Sequence, residues 1–161
     1  SLIKYLTENS KFQVGLDVWE NEPNINLTLL EQASIATPHI AGYSLEGKVN
    51  ATRIVVESLC KHLGIKINTS EIGANVTKEK IEINLLKHLN GNNMCFNCFF
   101  SEMYCIKSDS EKLKGNPEQF ESFRNGYNLR REYSAYQLIN TNNTEVEINW
   151  NEIGFDAASS Q

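Results

Sequence analysis

The sequence is poor in the features that would take it out of water. Its 161 residues contain no apolar run near the roughly 18 that a membrane span needs, and no signal-peptide pattern at the N-terminus. Cations are outnumbered, 15 Lys and Arg against 20 Asp and Glu, which argues against a generic binder of nucleic acid or anionic membrane. Nine glycines are present, yet none are spaced as the G-x-G-x-x-G turn that seats a dinucleotide pyrophosphate at a helix N-terminus. Methionine is scarce too. The chain starts on Ser1, its first Met is Met94, and Leu2, Ile3 and Leu6 already follow a helical apolar pattern, so a piece of a longer product is expected. Arginine is sparse beside lysine and asparagine is abundant, a bias that AT-rich codons produce and that we read as genome composition. A cytoplasmic protein is the expectation.

What is there belongs to an ordinary globular chain, with 22% charged and 40% hydrophobic residues. The length suits one large or two small domains that bury about two thirds of the unfolded surface. Residues 1–9 read as a helix, 13–19 (QVGLDVW) as a buried parallel strand, 27–33 as about two helical turns, and 35–37 as a short strand stopped by Pro38. Strand, helix and strand in so short a span is α/β rhythm. From Ser44 to His62 a long helix is predicted, with Leu45, Val49, Thr52, Val55, Val56, Leu59 and Leu63 on one face and Gly64 as its stop. Residues 65–78 lack periodicity and suggest a boundary. Beyond it, 80–85 and 133–139 read as strands, 93–106 as a buried helix, and 117–124 as a short exposed helix opened by Pro117. Residues 146–150 fit a strand or a helical turn equally.

Chemistry concentrates in residues 17–43. Asp17 ends one strand, Glu22 lies in the loop after it, and His39 follows the next strand. Ligands of open α/β sheets sit beyond the carboxyl ends of the strands, so these side chains are placed to converge. A carboxylate beside an imidazole orients the ring and favours its protonated form, which suits it to take a proton from an alcohol while a hydride leaves the adjacent carbon. Spacing alone does not separate this from a surface histidine and an acidic loop.

The wording of the motif does. Gly15-Leu16-Asp17-Val18-Trp19-Glu20-Asn21-Glu22-Pro23, followed by Thr37-Pro38-His39-Ile40-Ala41-Gly42-Tyr43-Ser44, is similar to the C-terminal signature of the D-isomer-specific 2-hydroxyacid dehydrogenases. Segments 109–113, 120–124 and 127–133, with the closing Gly154-Phe155, resemble the dimerisation domain of one member of that family. The resemblance runs over nearly the whole chain and is loosest around 65–100. It implies an α/β protein in which 1–66 is the truncated C-terminal portion of a Rossmann-like NAD-binding domain and 67–161 a small α+β dimerisation domain. By the same resemblance His39 is the acid/base on the substrate 2-hydroxyl and Glu22 its carboxylate partner. Asp17 and Gly42 face the NAD cofactor, and Tyr43 contacts a phosphorylated substrate. The implied partners are a small phosphorylated 2-hydroxy acid and a second copy of the chain, with no nucleic acid, membrane or metal. The family's substrate-clamping arginine and its substrate domain are expected upstream of Ser1, so the chain alone should be inactive. The rival reading is a non-catalytic dimerisation remnant of a decayed or truncated gene.

Cys95-Phe96-Asn97-Cys98 with Cys105 and His88 has zinc-type ligands, but a single C-x-x-C in an apolar run reads better as reduced thiols packed as small hydrophobes, in a core or a dimer interface. Arg130-Arg131-Glu132 reads as a structural ion pair with Glu132, His62 as a helix C-terminal cation, and His88 as solvent-facing. Asn-x-Ser/Thr matches such as 26–28 and 75–77 follow from asparagine richness.

Overall fold

A computed structural model describes residues 1–75, 80–90, 93–139 and 149–157. It is a mixed α/β structure with small parallel sheets. Two packing units are formed, Ser1–Gly42 with Tyr104–Asn128, and Tyr43–Met103 with Leu129–Gln161. Residues 104–128 pack with the N-terminal segment.

In the first unit, helix α1 (Leu2–Glu8) is capped by Ser1. Strands β1 (Gly15–Leu16) and β2 (Ile35–Ala36) pair in parallel, with Gly15 opposite Ile35 and Leu16 opposite Ala36. A parallel pair needs a crossover, here helix α2 (Leu27–Gln32), whose start is set by Asn26: its side-chain oxygen accepts the Leu29 N–H at 3.0 Å. The strand predicted over 13–19 is thus confined to two residues. Past Leu16 the backbone leaves the ladder, Trp19 turns into the core, and Val18 stays exposed. Helix α5 (Ile106–Gly115) supports β2 from far along the chain: buried Ser110 accepts the Ala36 N–H at 2.9 Å, and the Lys114 ammonium donates to the Ala33 carbonyl. Pro117 opens a 3-10 turn (Pro117–Gln119) into helix α6 (Phe120–Asn125). The predicted exposed helix therefore has a buried anchor, Phe120, which joins Trp19, Ile25, Leu30, Ala33, Ala36 and Leu113 in one core.

The second unit begins with helix α3 (Leu45–Leu63). Ser44 caps it by accepting the Gly47 N–H at 3.0 Å, and Gly64, at φ 69°, ends it in the left-handed conformation. Its apolar stripe is only partly covered: Val55, Leu59 and Leu63 are more than half exposed. Periodicity reports an amphipathic helix and not what lies against it. The N-terminal turns are covered. Gly73, at φ 73°, lies so close to Val49 that a Cβ there would overlap the valine methyls. Buried Glu46 accepts from Arg131 Nε at 2.6 Å and from the Glu132 N–H at 2.9 Å. Burial raises the Glu46 pKa, but the Glu132 N–H, the Arg131 guanidinium and its own N–H outweigh that and leave it below the ordinary carboxylate value. Arg131 thus pairs with Glu46, and the adjacent Glu132 carboxylate accepts the Ser44 hydroxyl at 2.5 Å.

Strands β3 (Ile81–Asn84), β6 (Tyr136–Ile139) and β7 (Asp156–Ala157) form a parallel sheet in the order β3-β6-β7. The strand predicted over 133–139 starts at Tyr136, after a 3-10 turn at Tyr133–Ala135. Residues 146–148 lie outside the described residues, and Trp150 sits in a turn. Strands β4 (Leu89–Asn90) and β5 (Asn93–Met94) make an antiparallel pair leading into helix α4 (Phe96–Met103). Phe99 of α4 is fully buried, with Trp150 and Phe155 at ring-centroid distances of 5.4 and 5.5 Å, amid Ile83, Leu85, Tyr136 and Leu138. Two expectations are corrected here. His88 is buried, because the 3-10 turn Leu85–His88 directs its ring edge-on to Phe99 and its Nε2 to within 2.7 Å of Glu102 Oε2. Cys95 and Cys98 are joined as a disulfide, since one helical turn brings their Cα atoms to 5.4 Å. No described helix is long and apolar enough to cross a membrane.

Phe99 carries the second core, so Phe99→Ala should destabilise that unit by about 3–5 kcal/mol. Urea unfolding followed by Trp150 emission measures this, and a loss below 1 kcal/mol, to quote a rough bound, would contradict the assigned packing.

Candidate functional site

The site in the first unit grows from the end of β1. Asp17 is the next residue, and its carboxylate faces the loop after β2. Oδ1 accepts the Thr37 hydroxyl at 2.7 Å and the Ile40 N–H at 2.7 Å, and Oδ2 accepts the Ala41 N–H at 3.0 Å. Thr37 and Ile40 are buried, so one half-buried carboxylate satisfies a loop that would otherwise hide unpaired donors.

Between those anchored residues stands His39, at φ 56°. A non-glycine residue in the left-handed region is uncommon, costs about 1–3 kcal/mol, and persists only where its surroundings impose it. Here the Asp17 bonds on its far side and the buried Pro38 on its near side impose it. The turn sends the imidazole toward the loop after β1, where Nδ1 lies 2.9 Å from Glu22 Oε2. Asn21, at φ 62°, shares that loop.

Glu22 is itself held. Its Oε1 accepts the Trp19 N–H at 2.9 Å, while the Trp19 indole N–H donates to the Thr37 carbonyl at 2.9 Å. Trp19 therefore ties both loops from inside the core, a role the sequence does not announce; an aromatic three residues past the end of β1 is its signal. Burial by itself raises the Glu22 pKa. The hydrogen bonds from His39 and the Trp19 N–H, with the positive charges of His39 and Arg124, overcome it and hold the carboxyl below its ordinary 4.5. In the tautomer that donates Nδ1–H to the carboxylate, the lone pair of the imidazole lies on Nε2, and the side chain is 39% exposed. That is the form of a base that can receive a proton from outside.

The structure brings Asp17, Glu22 and His39 together, with Gly42 next along the anchored loop, exposed and with open space where a side chain would begin. Tyr43 belongs to the second unit, where Lys48 Nζ lies 4.1 Å from its ring centroid. Among the described residues no group of three or more His, Cys, Asp or Glu is placed to hold a metal ion.

No protein-family profile matches the chain. Against curated proteins it is 41% identical over 141 residues to an erythronate-4-phosphate dehydrogenase of Bacteroides fragilis, covering 88% of this chain and 38% of the relative. It is 34% identical over 168 residues to that of Proteus mirabilis (98% and 42%) and 35% identical over 140 residues to that of Coxiella burnetii (87% and 38%). The chain is similar to the erythronate-4-phosphate dehydrogenases. It spans about two fifths of the length of these dehydrogenases.

The lowered Glu22 pKa has a sign that can be tested. The folded state favours the ionised carboxylate, so the stabilisation is complete above the ordinary pKa of 4.5 and is lost as pH falls through the lowered folded value. Glu22→Gln should therefore trail the native chain most near neutral pH, with the gap in urea midpoint closing in acid. A gap that stays constant with pH would contradict the ionic pairing.

Proposed function

We propose that this chain is the C-terminal part of an NAD-dependent erythronate-4-phosphate dehydrogenase. The whole enzyme oxidises 4-phospho-D-erythronate at C2 to the 2-oxo acid, a step toward pyridoxal phosphate, and works as a cytoplasmic homodimer. In that protein residues 1–66 complete a Rossmann-like NAD-binding domain and 67–161 form the dimerisation domain. The observation that carries the reading is the His39–Glu22 pair at 2.9 Å, held by a left-handed backbone.

The residues present suit the cofactor. Asp17 Oδ2 takes the Ala41 N–H, and a carboxylate oxygen has room for a further donor such as a carboxamide N–H. Gly42 leaves its backbone open to approach. NAD, when bound, accepts the hydride from C2 of the substrate. His39 Nε2 takes the proton of the 2-hydroxyl as the C–H bond breaks, and Glu22, on Nδ1, stabilises the imidazolium that results. Glu22 acts through His39 and is a positioning residue. Tyr43 contributes its hydroxyl to the phosphorylated end of the substrate. Arginine and the Gly-rich turn come from the rest of the enzyme, which is why turnover is expected of the whole protein and not of this chain alone.

In the whole protein His39→Ala should lower kcat by about 10²- to 10⁴-fold, the usual range for a positioned acid/base. Near-normal turnover would refute the role. Gly42→Ala meets nothing within 4 Å in its own chain, so it should leave the urea midpoint unchanged while raising the KM for NAD. An unaltered KM would remove Gly42 from the cofactor site.

A further inference from the structure

We propose that Cys95 and Cys98 form a reversible dithiol–disulfide site that exchanges electrons with small thiols of the glutathione class. The pair is independent of the Asp17–Glu22–His39 site and lies in the second unit, at the first turn of α4.

A structural staple is a poor account of this bond. A disulfide stabilises a fold by restricting the unfolded chain, and the effect grows with the loop it closes; this one joins residues three apart. Helix α4 is anchored without it, by Phe99 in the core and by the contact between Glu102 and His88. The bond can open while the helix stays in place.

The two sulfurs are chemically unequal. Cys98 is exposed, whereas Cys95 is half-buried. Cys95 Sγ accepts the backbone N–H of Cys98 at 3.4 Å, a first-turn donor at the positive end of the helix. The donor remains on Cys95 Sγ as that sulfur takes up the electron pair of the breaking bond, which makes Cys95 the better leaving group. Access and leaving-group stability therefore select the same direction of exchange. An incoming thiolate attacks Cys98 Sγ, a new S–S bond forms there, and the Cys95–Cys98 bond breaks with its electron pair passing to Cys95 Sγ. A second thiolate attacks the outer sulfur of the mixed disulfide, releasing oxidised small disulfide and the Cys98 thiolate. Two small thiols lose their protons and two electrons, and the two cysteines gain them. The reverse reaction uses the oxidised small disulfide as oxidant. Cys60 and Cys105 are unbonded and take no part.

The full chain carrying Cys60→Ser and Cys105→Ser tests this. It is equilibrated without air across a range of reduced to oxidised glutathione, quenched in acid and weighed intact. The expected result is one two-electron transition, a mass difference of two hydrogens, with no accumulating glutathione adduct. Cys95→Ser in the same background should retain one glutathione on Cys98. Cys98→Ser should acquire its adduct on Cys95 at least about tenfold more slowly, because access governs exchange. A pair that stays dithiol or stays disulfide across the whole range would overturn the proposal, as would Cys95 accepting glutathione as fast as Cys98.

Discussion

The Asp17 carboxylate is the constraint on which the candidate site depends. It collects the Thr37 hydroxyl and the Ile40 and Ala41 N–H groups, so the chain on both sides of His39 is bound to one point at the end of β1. Hydrogen bonds to a charged acceptor contribute about 1.5–3 kcal/mol each, enough to offset the few kcal/mol of a left-handed histidine. With that backbone imposed, the imidazole has a fixed direction, and Glu22 meets it. The pairing of imidazole and carboxylate is thus a consequence of loop geometry set by a third residue.

The strands that position this loop are too short to stand alone. β1 and β2 contribute two residues each, and a ladder of that size has little stability of its own. Trp19 and Phe120 close the core against it, and Ser110 of α5 supplies the acceptor that the Ala36 N–H needs. The support for a site in the first 42 residues comes from a helix more than 60 residues later. Packing of residues 104–128 with the N-terminal segment follows from this.

Local features were legible because they are local. Gly64 marks a helix end by its left-handed backbone, chemistry that acts within one turn of chain. The stripe on α3 was legible as periodicity, yet Val55, Leu59 and Leu63 stand exposed, since a repeat names a face without naming its cover. His88 misled for the opposite reason. Its partner Glu102 is 14 residues away, and Arg131 meets Glu46 from 85 residues away, a pairing that neighbours in sequence do not reveal.

By itself the sequence determined the α/β rhythm and the long helix that Gly64 ends, and the run from Gly15 to Ser44, by its resemblance to a dehydrogenase signature, singled out Asp17, Glu22 and His39 as candidates. Only the tertiary structure decided that Glu22 and His39 touch, that Trp19 and Asp17 hold them so, and that Cys95 and Cys98 differ in exposure. The physical reason is range. Capping and periodicity act over one or two turns of chain, whereas burial, charge pairing and a strained backbone are set by whichever distant residues the fold brings alongside.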